Sequence, residues 1–253
     1  MLAFGARMPF WNAPLTADEG GYAEVARLWG DGLALYRDTW VDRPQGLLLV
    51  FRAALGPGGS AETFRILAAC LAGALVLVVT ALGLRLGGRI VGAAAAVLVA
   101  TAGAAPFLEG FTLSGELVAG IPAALSLLAF VLWTGSRRPA WLVAAGLASG
   151  CALTVKQSAL DALVAALVWL LWRERRRALV PAAVLGGAAA LPLLAAALAA
   201  PDLGDWWHAV VAYRGQGDSL LTGSIGHRWD LFASSLPAAA KGLGLLALLA
   251  AAG

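Results

Sequence analysis

The chain has 253 residues, 60% of them hydrophobic and only 13% charged, with a mean hydropathy of +0.81 and a net charge of +3. That balance lies far from the soluble average and excludes an ordinary water-soluble domain. The small positive excess needs no nucleic-acid partner, because it is concentrated in short turns between apolar runs.

Residues 1–15 form an apolar segment interrupted by Arg7, too short to span a bilayer. Residues 16–46 follow, a polar block carrying the adjacent acids Asp18 and Glu19 and a later Asp42-Arg43-Pro44-Gln45-Gly46 turn. Thr16 with Glu19 three residues on is a capping box, so a helix is expected to start there. Tyr22, Val25, Ala26 and Trp29 recur at helical spacing, an apolar face fit to lie on a bilayer surface. Gly30 and Gly32 mark its end, and residues 47–55 read as a second short interfacial helix.

Long uncharged runs come next, at 66–84, 90–108, 117–134 and 178–200. Each is near the ~20 residues a membrane helix needs. Two shorter helices, 140–155 and 158–172, would meet at Lys156 and Gln157. The expected class is an all-α integral membrane protein of about seven helices, with a polar loop and juxtamembrane helices at 16–65, a bundle at 66–200, a second loop at 201–236 and a last helix at 237–253. Abundant Ala and Gly would let such helices pack closely.

Unopposed cations sit in three turns: Arg85 and Arg89, Arg137 and Arg138, and Arg173 with Arg175 to Arg177. By the positive-inside rule these turns are cytoplasmic, and the 16–46 block and the 201–236 loop lie outside. Trp133, Trp141, Trp169 and Trp172 flank the basic turns as an aromatic belt. An outside loop with so little before it implies a further helix upstream, and the apolar run at 242–253 stops part-way, so the chain reads as a fragment. Cys70 and Cys151 fall inside spans with no ligand spacing and read as packing residues.

Glu116 is costly one turn into an apolar span unless it is paired or functional. Arg65, Lys156 and Arg43 are its candidate partners. Asp161, also within a predicted span, has no evident pairing. Asp18 and Glu19 serve equally as first-turn acids favoured by the helix dipole.

TADEGGYAEVAR, then DTWVDRPQG, FTLSGELVAG and GLASGCALTVKQSAL, in that order along the chain, resemble the GT-C superfamily of polytopic glycosyltransferases. The likeness is to its family 39 branch of protein O-mannosyltransferases and aminoarabinose transferases. The resemblance implies transfer of a sugar from a polyprenyl-phosphate donor to a glycan, lipid or protein acceptor on the outer face of a bacterial plasma membrane, with inversion at the sugar carbon. It makes Asp18 the catalytic base, with Glu19 and Glu116 as further acids. Arg43, Lys156, Gln157 and Tyr22 would hold the donor phosphate. Gly21 stands where the aminoarabinose branch has an Arg, which leaves the phosphate to Arg43 and Lys156. Asp42 falls where some relatives place a metal-binding acid, with His208 or His227 as conceivable partners; a divalent ion stays unassigned. A transporter or lipid flippase lined by Glu116, Asp161 and Lys156, and an inactive partner subunit, are the alternative readings.

Overall fold

The structure is a computed structural model describing residues 2–56, 58–106, 109–213 and 233–234. The expectations for His227, for the second loop beyond 213 apart from 233–234, and for the last helix at 237–253 lie outside the described residues. Among those described the chain is helical, and its one β contact is an isolated bridge between Leu35 and Thr39. The helices are α1 (Leu2–Gly5), α2 (Ala17–Gly30), α3 (Gln45–Leu55), α4 (Ala61–Ala102), α5 (Gly115–Ser136), α6 (Pro139–Val155), α7 (Asp161–Glu174), α8 (Leu179–Leu198) and α9 (Leu203–Trp207).

Three helical stretches are long and apolar enough to cross a membrane: Ala61–Ala102, Gly115–Ser136 and Asp161–Leu198. This is the form in which the expected membrane class is met. Two of the three are folded at a break. In α4 the break is at Gly87 and Gly88, the latter at φ 74°, ψ −161°, a conformation that a Cβ would strain. Beyond it the helix runs back along itself: a Cβ on Gly83 would lie 2.9 Å from Gly92 Cα. The expected pair 66–84 and 90–108 is therefore a hairpin, although its second arm stops at Ala102, capped by Gly103, with Pro106 just beyond. The third stretch breaks at Arg175, φ 52°, between α7 and α8.

The same alternation orders the rest. Arg137, left-handed at φ 54°, turns α5 into α6, and its guanidinium pairs with Glu174 at 2.7 Å while lying over the Trp133 ring. The basic turns at 137–138 and 173–177 thus share one end of the bundle. Small residues set the spacing within it. A Cβ on Gly146 or Gly150 would collide with the carbonyls of Leu185 and Ala189, so α6 and α8 touch backbone to backbone. A buried hydrogen bond of 2.7 Å between Ser126 and Ser149 joins α5 to α6.

Two expectations change here. Trp133 and Trp169 do not form an outward belt; they pack with Phe130 inside the bundle, and only Trp141 and Trp172 are exposed. Cys70 and Cys151 are free and face outward rather than filling the core. Apolar helices carry interchangeable apolar faces, so sequence alone does not say which side chain turns inward.

Candidate active site at one end of the bundle

The end opposite the Arg137–Glu174 pair collects the polar side chains. Its foundation is α2, whose capping box forms as expected: the Thr16 side chain accepts from the Glu19 N–H, and the Glu19 carboxylate accepts from the Thr16 N–H at 3.0 Å. Glu19 does more than cap. It is buried, accepts from both terminal nitrogens of Arg65 at 2.6 and 2.8 Å, and takes the Leu113 N–H at 2.8 Å. Burial alone would raise its pKa, but the Arg65 bonds and the Thr16 and Leu113 N–H groups outweigh that and hold it below the ordinary glutamate value. Glu19 was expected beside Asp18 as a catalytic acid. Its oxygens are instead committed to fastening α2 to α4 and to the turn before α5. Arg65, considered as a partner for Glu116, belongs to Glu19.

The apolar face of α2 does not rest on a bilayer surface. Ala23 and Ala26 are buried, Tyr22 packs edge-on against Phe51 of α3, and Val25 and Trp29 pack with Leu35, Tyr36, Val41 and Trp206. The inner face of α3 is covered by protein as well. Leu47, Leu48 and Phe51 are fully buried, and Gly46 sits where a Cβ would be 2.6 Å from the Thr154 carbonyl oxygen. Both helices are wedged into the protein, because each has a second apolar surface that the bundle covers.

This leaves Asp18 exposed on the outer side of α2, one turn before Tyr22. Tyr22 also meets the Asp42-Arg43 turn. The Arg43 guanidinium lies 5.9 Å from its ring centroid and pairs with the Asp42 carboxylate at 2.9 Å. Burial raises the Tyr22 phenol above its ordinary value; Arg43 pulls it down, while Asp42 and Asp18 push it further up. Arg43 thus faces the Tyr22 ring with Asp42 paired to it, and Asp18 lies one turn back on the same helix. The turn itself is held firmly: the Tyr36 hydroxyl donates to the Arg43 carbonyl at 3.1 Å, and the Gln157 amide donates to the Asp42 carbonyl at 2.6 Å and the Val210 carbonyl at 3.2 Å. Behind it, the buried Gln45 donates to the Ala196 carbonyl at 2.8 Å and accepts from the Trp206 indole at 3.0 Å. Trp206 is an interior strut, whereas its neighbour Trp207 is exposed.

Lys156 terminates α6 and reaches the Glu116 carboxylate in an ion pair. Glu116 is not one turn inside a span. Ser114 caps α5, so Glu116 lies in the first turn, its side chain 69% exposed. Asp161 likewise opens α7. Glu116, Lys156, Ser158 and Asp161 line one recess of about 310 Å³. Arg43, Lys156, Gln157 and Ser158 line a neighbouring one of about 250 Å³. Lys156 and Ser158 are common to both. Two cations thus face a recess floored by Gln157, with carboxylates on either side.

The weak metal candidates do not assemble. Among the described residues no three His, Cys, Asp or Glu side chains are grouped to hold an ion. Asp42 is engaged by Arg43, and His208 is exposed in the short π-helical turn that follows α9. A buried residue the sequence reading passed over is Arg7, which donates to the Ala3, Gly103 and Gly110 carbonyls. A charge in an otherwise apolar segment was the available signal.

No protein-family profile, curated protein or solved structure matches the chain. None of these comparisons supports the expected likeness to GT-C enzymes.

Proposed function

We propose that the protein is a multi-pass membrane glycosyltransferase of the GT-C kind, moving a sugar from a polyprenyl-phosphate donor to an acceptor hydroxyl or amine on the extracytoplasmic face of the plasma membrane. The observation that carries this reading is that Arg43 and Lys156 line one recess at an end of an apolar bundle, with the exposed Asp18 one turn before the Tyr22 ring that Arg43 faces. A lipid-linked donor is reached only from the membrane, so its sugar-phosphate bond must be cleaved at such a boundary.

Each group then has a task. Asp18 takes the acceptor's proton as the acceptor oxygen or nitrogen attacks the anomeric carbon. The bond from that carbon to the phosphate oxygen breaks, and polyprenyl phosphate leaves with the electron pair. Arg43, with its planar fork, and Lys156, as a point charge, stabilise the phosphate as its charge grows. Gln157 and Tyr22 hold the Arg43 turn in place. One displacement at the sugar carbon inverts its configuration. The basic turns at the opposite end are cytoplasmic in this reading. Glu116 and Asp161 lie in first turns at the bundle end, which favours surface chemistry over a translocation path at mid-depth.

The deciding experiment offers the purified protein polyprenyl-phosphate sugars and measures release of polyprenyl phosphate, wild type against Asp18→Asn. Release that falls by at least about 100-fold in the mutant supports the reading. Equal release by both, or none from folded protein with any donor, overturns it.

A further inference from the structure

A third cavity, of about 390 Å³, lies away from Arg43, between the two arms of the α4 hairpin and α5. Its walls are apolar, built from Ala72, Leu75, Val99 and Leu117, and Arg7 stands at one end. Arg7 is only 5% exposed. Its three hydrogen bonds all go to backbone carbonyls, its Nε is buried without a partner, and among the described residues no carboxylate lies within ion-pair distance of it. A guanidinium does not escape this by losing its proton in a protein. A buried charge with no counter-ion is costly because its lost hydration is not replaced. The partial charge of the α4 C-terminus, through the Gly103 carbonyl, offsets only part of that. The acid that lines the cavity, Glu116, is already paired with Lys156.

We infer that this cavity is a binding site for an anionic membrane phospholipid, its phosphate against Arg7 and one acyl chain between the α4 arms and α5. Charge complementarity selects the headgroup and the apolar walls select the chain. A neutral lipid would leave Arg7 uncompensated, and inorganic phosphate would leave the walls unfilled. The inference stands apart from the transferase reading.

Native mass spectrometry of the detergent-solubilised protein tests it, with phosphatidylglycerol, diacylglycerol of the same chains (which lacks the phosphate), and inorganic phosphate as probes. The basic turns at the far end also attract anionic lipid. The readout is therefore the tightest one-lipid step, compared between wild type and variants. Arg7→Gln removes the charge. Ala102→Leu fills the cavity while leaving the Arg7 hydrogen bonds in place, and decides alone if Arg7→Gln does not fold. The expected result is phosphatidylglycerol bound about ten-fold more tightly than diacylglycerol, with that preference lost in each folded variant. Equal binding of the two lipids, an unchanged tight step in Ala102→Leu, or inorganic phosphate bound as tightly as the lipid would overturn it.

Discussion

Glu19 and Arg65, 46 positions apart in sequence, meet in a two-pronged buried ion pair of 2.6 and 2.8 Å. The pair fixes the polar N-terminal block to the first membrane-length helix. It sets where Asp18, the residue just before Glu19, is presented. Removing either partner strands a buried charge, so Arg65→Met and Glu19→Gln are each expected to destabilise the protein by ~3–5 kcal/mol. The double variant should cost little more than either alone. A double-mutant cycle of unfolding in detergent reads this; additive losses would mean that the two side chains are not coupled. The pH dependence follows from the sign of the shift. Glu19 is held below its ordinary value when folded, so its stabilisation is full above the unfolded pKa of ~4.3 and is lost as pH falls through the lower folded value.

Glu116 and Lys156 separate two roles for the acid. Lys156 holds the phosphate as its charge grows, so Lys156→Met should lower kcat by about ten-fold. If Glu116 only steadies Lys156, adding Glu116→Gln to Lys156→Met should change little further; an additional fall in kcat there would mark Glu116 as an acid acting on the reacting groups. Because the Glu116 side chain is 69% exposed, its replacement should leave unfolding within ~0.5 kcal/mol of wild type.

Gly150 tests the packing of α6 on α8. Its Cα faces the Ala189 carbonyl and the Pro192 ring, so Gly150→Val forces the helices apart. The expected loss is ~1–3 kcal/mol, seen as earlier thermal unfolding. Gly73, beside which a Cβ would meet nothing within 4 Å, is the control, and Gly73→Ala should be close to neutral.

The two ends of the bundle should face opposite sides of the membrane. With the outward-facing Cys70 and Cys151 first replaced by Ala, Gly20→Cys and Ser136→Cys should react with an impermeant thiol reagent from opposite sides of sealed vesicles. Labelling of both from one side would remove the proposed topology.

Much of the frame was legible because it depends on local patterning. The Thr16–Glu19 capping box, the hairpin turn between Arg85 and Arg89, and the meeting of two short helices at Lys156 follow from spacing, charge and glycine placement. Partner choice was not legible. Glu116 offered three possible cations, and Arg65 looked as suitable as Lys156 until the start of α5 placed the acid beside the end of α6. The amphipathic faces of α2 and α3 carried a pattern that suits a lipid surface and a protein surface equally. Arg7 gave only the bare fact of a charge in an apolar stretch.

By itself the sequence determined the helical, membrane-like character of the chain, its alternating basic turns and the chemical inventory of its polar end, because composition and period act within a helix or across one turn. The tertiary structure alone decided that Glu19 is a strut while Asp18 is free to face outward, that Lys156 borders both recesses, and that Arg7 stands unpaired beside an apolar cavity. Those outcomes depend on contacts between segments 40 to 100 residues apart, where the competing pairings are chemically alike and only the packing of backbone against backbone chooses among them.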